Sequence, residues 1–398
     1  MRNILFGRRP AASLVPGWHG EVLVLSMRRV ADLPAHCVQY EFEDVMCAVT
    51  GADRVEPLHD GPAVFRRRAY KAWYGAGGSA HLARRLTPEW ADPVLRKRYR
   101  LLVAVFNTPS DLYALAAVPR WRAFCDQAVC FIAEAWEQTL EQALPPPLRH
   151  SMREFDRVYL GANPTEALAG LTGVRCEYLP LGVDAVAMSP LPDCPTRAID
   201  VLGIGRRSEV THGALLDLAR ERGWFYYYDS IRSRSASKAD ITFAVTDVGE
   251  HRFKLASLLR RSRYSIANRA RANVTGFAEV DELSSRFFEG AAAGAVLLGD
   301  PPVSGPFLSL FDWPDAVVPV PIDSPDIAGV IDELEADPVR RERIRRENMV
   351  QSLLRHDWVY RVRRILTDAG LALPQALLGR ERQLQEMAAQ VRTLPFAD

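Results

Sequence analysis

The chain has 398 residues, 48% of them hydrophobic and 25% charged, which is enough for two packed cores. Its 50 Lys and Arg against 49 Asp and Glu leave a formal charge of +1, and that balance argues against nucleic acid as the main partner. The six cysteines form no Cys-x-x-Cys, the start lacks an apolar leader core, and no apolar run reaches about 18 residues; the expectation is reduced thiols, a cytoplasmic location and no transmembrane helix.

Residues 21–26 read as a strand. Residues 41–49 read as a helix with Phe42, Val45, Met46 and Val49 on one face and Gly51 as its stop. Residues 64–100 are basic and aromatic, with a helix expected over 65–74. One reading of that stretch is peripheral contact with anionic lipid; the other is a solvated face with its aromatics in the core. Residues 101–106 and 128–132 are continuous apolar runs, as buried parallel strands require. Asp111 falls at the start of a helix expected over 112–118, at the carboxyl end of the first of these strands. Ligands bind at such edges, so Asp111 is a candidate catalytic carboxylate as well as a plain helix cap. Pro145, Pro146 and Pro147 break the next helix. Strand 158–160, a helix from Asn163 and strand 176–179 continue an alternation that fits a doubly wound sheet. Pro190, Pro192 and Pro195 then give a linker composition.

A second α/β run begins with a strand over 199–204. Gly203 and Gly205 open a turn, Arg206 and Arg207 follow, and a helix is expected over 213–222. A glycine turn with basic residues suits a diphosphate. Strand 224–228, a basic loop over 230–238, helix 255–263 and strand 264–267 come next, with Asn268 and Arg269 at the strand's end. Residues 325–334 and 338–354 carry helical periodicity, and a last helix runs from His356 to 366. Residues 380–398 are charged and have no assigned place.

The stretch from 277 to 302 concentrates the signals. Ser284 or Ser285 can cap a helix, Arg286, Phe287, Phe288 and Glu289 follow, Gly294 can end it, and 295–299 reads as a buried strand. The helix start offers N–H groups and the positive end of the dipole to an anion. Arg286 sits in the first turn, where the dipole disfavours a cation, and a bound phosphate would remove that conflict. Glu289 lies on the same face, and its two acceptor oxygens suit a ribose diol. The plain alternative is a solvated surface helix.

On these residues the chain resembles the C-terminal half of GT-B glycosyltransferases, especially the spore-maturation-protein-like group. Arg286-Phe287-Phe288-Glu289, leading into the small-residue helix and strand of 291–298, carries the likeness. The larger retaining group has Glu-x7-Glu here; Asp281 takes the first position, Glu289 the second, and Glu282 stands one residue off. Pro180 to Asp184 is similar to the turn that joins the two domains in that fold. The resemblance covers residues 175–370. It implies GT-B architecture, two Rossmann-like domains facing each other across a cleft. The divisions would be an acceptor domain over 1–184, a nucleotide-sugar donor domain over 185–370 and a helical tail over 371–398.

The expected reaction is transfer of a sugar, with retention, from a nucleotide-diphosphate donor to a glycan, lipid-linked or small-molecule acceptor. Gly205, Arg206, Arg207, Ser284, Ser285, Arg286 and Glu289 would hold the nucleotide, and Asp281, Glu282 and Asp111 are the catalytic candidates. No cofactor beyond the donor is expected, and no metal, since the sequence has no Asp-x-Asp and no zinc-type spacing. Related enzymes place a lysine some residues after the turn arginine; Thr211 and His212 stand there instead. Two other readings stay open: a sugar-nucleotide epimerase on the same fold, and a binding module that keeps the fold without the reaction.

Overall fold

The computed structural model describes residues 12–28, 34–58, 94–118, 120–205, 207–229, 245, 247–272 and 281–394. The expected helix over 65–74, Arg206 and the loop over 230–238 lie outside them. The chain divides into two compact units, one of residues 1–180 with 361–377 and the other of 181–360 with 378–398. The segment expected as a separate tail, 371–398, is thus divided between them.

The first unit is built on a seven-stranded sheet. Its strands are β1 (Ala12–Val15), β2 (Val22–Leu25), β3 (Asp53–Pro57), β4 (Tyr99–Phe106), β5 (Cys125–Ile132), β6 (Arg157–Leu160) and β7 (Cys176–Tyr178), in the order β1-β3-β2-β4-β5-β6-β7. All neighbours are parallel except β1 and β3. Leu101 to Phe106 are all buried, as a strand covered on both faces must be. The Cys37–Thr50 helix ends at Gly51, whose φ of 66° is left-handed and whose N–H reaches the Cys47 carbonyl. Pro146 and Pro147 stand in the first turn of the Pro146–Met152 helix, where a missing N–H costs no bond. They end one helix by beginning the next.

The segment after β4 is a 3-10 helix, Pro109–Ala117, and not the expected α-helix. Thr108 and Asp111 form a capping box at its start. The Asp111 carboxylate accepts from the Asn107 and Thr108 N–H groups at 3.0 and 2.9 Å. The cap reading of Asp111 is thus seen in the fold, through one carboxylate oxygen, Oδ2.

The second unit has a five-stranded parallel sheet of β8 (Ile199–Gly203), β9 (Tyr226–Tyr228), β10 (Ser262–Ile266), β11 (Val296–Gly299) and β12 (Val318–Pro319). The order is β12-β11-β10-β8-β9. Its core packs Val201, Tyr264, Val296 and Leu298 against Leu215, Leu218, Ile331 and Leu334 from helices. Two helices start earlier than expected. Glu209–Arg222 is capped by Ser208, and Val248–Leu259 by Asp247, whose carboxylate takes the Glu250 N–H at 2.7 Å.

Residues 380–398, unplaced by sequence, include most of the Gln375–Thr393 helix. Arg380 ties this helix to the buried Asp357 and to Asp184. Both carboxylates flank the points where the chain enters and leaves the second unit, and Val183 bridges Asp357 there.

Candidate functional site

From β8 the chain goes to β9 on one side of the sheet and then returns to β10 on the other. This reversal makes the carboxyl ends of β8 and β10 a topological switch point, where open α/β sheets bind ligands. The glycine turn leaves β8 at this point. Gly205 has a φ of +94°, a conformation that L side chains rarely adopt. Its N–H donates to Asp229 Oδ2 at 3.0 Å, and Asp229 directly follows β9. Arg207 donates to the Asp229 carbonyl at 3.2 Å and lies over the Tyr228 ring.

The β10 end is fixed by Asn268. Ser284 Oγ donates to its backbone carbonyl at 2.7 Å, and the Asp300 N–H donates to its side-chain oxygen at 2.8 Å. Gly299 is required beside it: a β-carbon there would stand 1.9 Å from the Ala267 carbonyl oxygen. The Ser284 bond holds the start of the Ser285–Ala292 helix against the sheet edge, and the Asp300 bond ties the ends of β10 and β11 together. The helix is anchored beneath by Phe287 and Phe288, each fully buried, which meet Phe311 at ring-centroid distances of 6.0 and 5.3 Å.

Ser284 occupies the cap position but makes no side-chain cap bond; its hydroxyl turns to donate to the Asn268 carbonyl. The capping role expected of it is therefore corrected. Ser285 is the first helical residue. The helix start after the glycine turn differs: the Ser208 side chain accepts from the Val210 and Thr211 N–H groups at 3.1 and 3.3 Å. Sequence reasoning treats both starts as suited to phosphate, yet only the Ser285–Ala292 start lacks a side-chain acceptor on its first turn.

Arg286 projects from that turn to the glycine loop. Its Nε and Nη2 both lie 3.8 Å from where a β-carbon would stand on Gly205. The two phosphate signals in the sequence, the glycine turn and the helix start, are thereby brought together. Glu289, one turn further on, is 1% exposed. Its two oxygens, expected to meet a ribose diol, accept instead from two guanidinium groups, Arg252 on Oε1 and Arg286 on Oε2. Burial alone would raise this carboxyl, but Arg286 and Arg252 hold it at about 2, below the ordinary 4.5. Glu289 is therefore ionised and not a solvated helix residue.

Asp281 accepts from the Val303 N–H with both oxygens, at 2.9 and 3.1 Å. Glu282 is 8% exposed, and its backbone carbonyl takes the Ala270 N–H. Asp111 belongs to the other unit. A pocket adjoins the switch point. Gly203, Ile204, Arg207, Thr211, His212, Tyr226 and Asn268 line it, with Ile266, Leu298 and Val320 as apolar wall. His212 Nδ1 and Tyr226 Oη are 3.0 Å apart within it. Among the described residues no group of three or more His, Cys, Asp or Glu could hold a metal ion, and no helix is long and apolar enough to cross a membrane.

Arg252 and Asp229 are the residues that sequence reasoning missed. Asp229 follows the glycine turn by roughly the spacing of the acidic residue in nucleotide-binding βαβ units. Arg252 had only one signal, the Asp247-x-x-Glu250 capping pattern that starts its helix early.

The second unit is a doubly wound α/β unit with a glycine turn, Arg207 and Arg286 at its switch point. Residues 230–367 match a family model described as glycosyl transferase-like. The chain is similar in structure to one described as "Trehalose-6-phosphate from E. coli bound with UDP-2-fluoro glucose", with a TM-score of 0.53 and 12% identity over 89% of this chain and 100% of that one. A second similar structure, described as "OtsA apo structure", has a TM-score of 0.48 and 12% identity, with the same coverage. No curated protein matches the sequence. The chain has the GT-B fold, and the family match and the fold together support a GT-B glycosyltransferase.

Proposed function

We propose that this protein is a glycosyltransferase that uses a nucleotide-diphosphate sugar. The observation that carries the reading is Arg286 against Gly205, which concentrates positive charge at the sheet's switch point. The donor diphosphate would lie on Arg286 and the first N–H groups of its helix, with Arg206 and Arg207 contributing from the turn. The pocket beside the turn, with apolar walls and few polar groups, suits a planar base. Glu289 would reach the ribose only through the second lone pair on each oxygen, since arginines take the first. Asp281 and Glu282 would face the sugar. Positive side chains stabilise a departing diphosphate directly, and the chemistry assigned to this site is that. Retention, a metal-independent reaction and a glycan, lipid-linked or small-molecule acceptor in the first unit complete the proposal.

Turnover with and without acceptor tests it. A transferase consumes donor and acceptor together, an epimerase converts the donor alone, and a binding module does neither. UDP-glucose is the first donor to try, since the similar solved structure carries a UDP sugar. Donor consumption that ignores every acceptor would favour the epimerase reading.

A further inference from the structure

Two carboxylates meet the glycine turn or the arginine beside it, and they are engaged in different ways. Glu289 is 1% exposed, and each of its oxygens already accepts from a guanidinium group. Asp229 directly follows β9 and is partly exposed. Its Oδ2 accepts from the Gly205 N–H at 3.0 Å, while Oδ1 accepts from none of the described residues. Arg207 donates to the Asp229 backbone carbonyl from the same turn, so backbone and side chain are both tied down. An acceptor fixed before its ligand arrives loses little freedom on binding.

The topology gives that position a meaning. β8, the Glu209–Arg222 helix and the parallel strand β9 make one βαβ unit, with the glycine turn directly after β8. Asp229 lies 24 residues beyond Gly205. In βαβ units that bind nucleotides the glycine turn faces the phosphates, and an acidic residue about 20 residues further on accepts from a ribose hydroxyl. We propose that Asp229 binds the ribose of the donor nucleotide: Oδ1 accepts from the diol while Oδ2 stays on Gly205. The inference rests on the nucleotide-diphosphate reading above and deepens it, because it makes a ribonucleotide, and not its deoxy form, the ligand of this site. The main ribose contact thus moves from the buried helix to the sheet edge.

The test is calorimetric binding to the full chain of UDP, GDP and ADP, of their 2′,3′-dideoxy forms and of inorganic pyrophosphate. The variants are Asp229→Asn and Glu289→Gln. Asp229→Asn keeps one oxygen for the Gly205 N–H and puts an amide donor where the second acceptor stood. Wild type should bind its best ribonucleotide at least about tenfold tighter than the dideoxy form, as for a hydrogen bond to a charged group. Asp229→Asn should lose that ratio, with affinity for the dideoxy form and for pyrophosphate unchanged. Glu289→Gln should keep most of the ratio. A purely structural Asp229 would weaken the ribose and dideoxy forms alike. That result, a ratio unchanged in Asp229→Asn, or a ratio abolished in Glu289→Gln overturns the proposal. Should Asp229→Asn not fold, Asp229→Ser, which has one side-chain oxygen and no second, decides by the same ratio. The underlying reading fails differently. If wild type binds no nucleoside diphosphate better than pyrophosphate, the nucleotide reading falls and takes this one with it. A nucleotide bound well, but without regard to its ribose hydroxyls, overturns this proposal alone.

Discussion

Arg286 lies against Gly205, with two guanidinium nitrogens 3.8 Å from the place where a β-carbon would stand on that glycine. An alanine there would touch the guanidinium at ordinary van der Waals distance, so the contact itself is tolerated. The backbone is what resists, because a φ of +94° strains any L side chain. Gly205→Ala should therefore cost about 1–3 kcal/mol in urea unfolding. The turn should also shift, weakening diphosphate binding. Wild-type stability in this variant would contradict the left-handed turn.

Asp111→Ala separates cap from catalyst. Loss of the two N–H contacts at Asn107 and Thr108 should lower stability by about 1 kcal/mol. Turnover, measured at a temperature where the variant remains folded, should match wild type. A collapse in turnover with stability unchanged would restore the catalytic role.

Glu43, in the first unit, is fully buried, and burial pushes its carboxyl up to about 7, against the pull of Arg28 and Ser26. A carboxyl raised in the fold binds its proton more tightly folded than unfolded. Its stabilising contribution is complete below the ordinary 4.5 and is lost as pH rises through about 7. The urea midpoint should fall between those values, with a slope of up to ~1.4 kcal/mol per pH unit from this one group. Glu43→Gln should flatten that slope. An unchanged pH profile would show that the proton is bound elsewhere.

Glu289 has the opposite sign. Its carboxyl is held at about 2 by Arg286 and Arg252 despite burial. Its contribution is therefore present above 4.5 and lost as pH falls through about 2. Glu289→Gln should lose stability at neutral pH, where an arginine pair is left without its anion, and the gap from wild type should narrow in acid. A gap that stays constant from pH 7 to pH 2 would contradict the paired carboxylate.

Much of this architecture was legible because some elements announce themselves alone. Residues 101–106 and 128–132 are apolar on both faces, as covered parallel strands are. β3 was not legible. It reads Asp-Arg-Val-Glu-Pro, and its buried Asp53 and Glu56 depend on Lys97, Tyr99 and Arg54 to be tolerated. Those partners are invisible without the fold. At the site, Arg286 and Glu289 were legible from helix spacing, as was the glycine turn. Arg252 was not, since its anion lies on another helix. The Ser284 side chain turns toward the carbonyl of Asn268, a partner that only the sheet brings near.

The central claim is that the switch point of the second sheet holds the donor's diphosphate through Arg286. Calorimetry of wild type and Arg286→Ala with UDP, GDP and ADP, and with the matching nucleosides, tests it most directly. The account predicts that wild type binds at least one diphosphate. It also predicts that Arg286→Ala loses about 1.5–3 kcal/mol on that ligand, as for a hydrogen bond to a charged group, and loses nothing on the nucleoside. An equal loss on both ligands, or none on either, would contradict it.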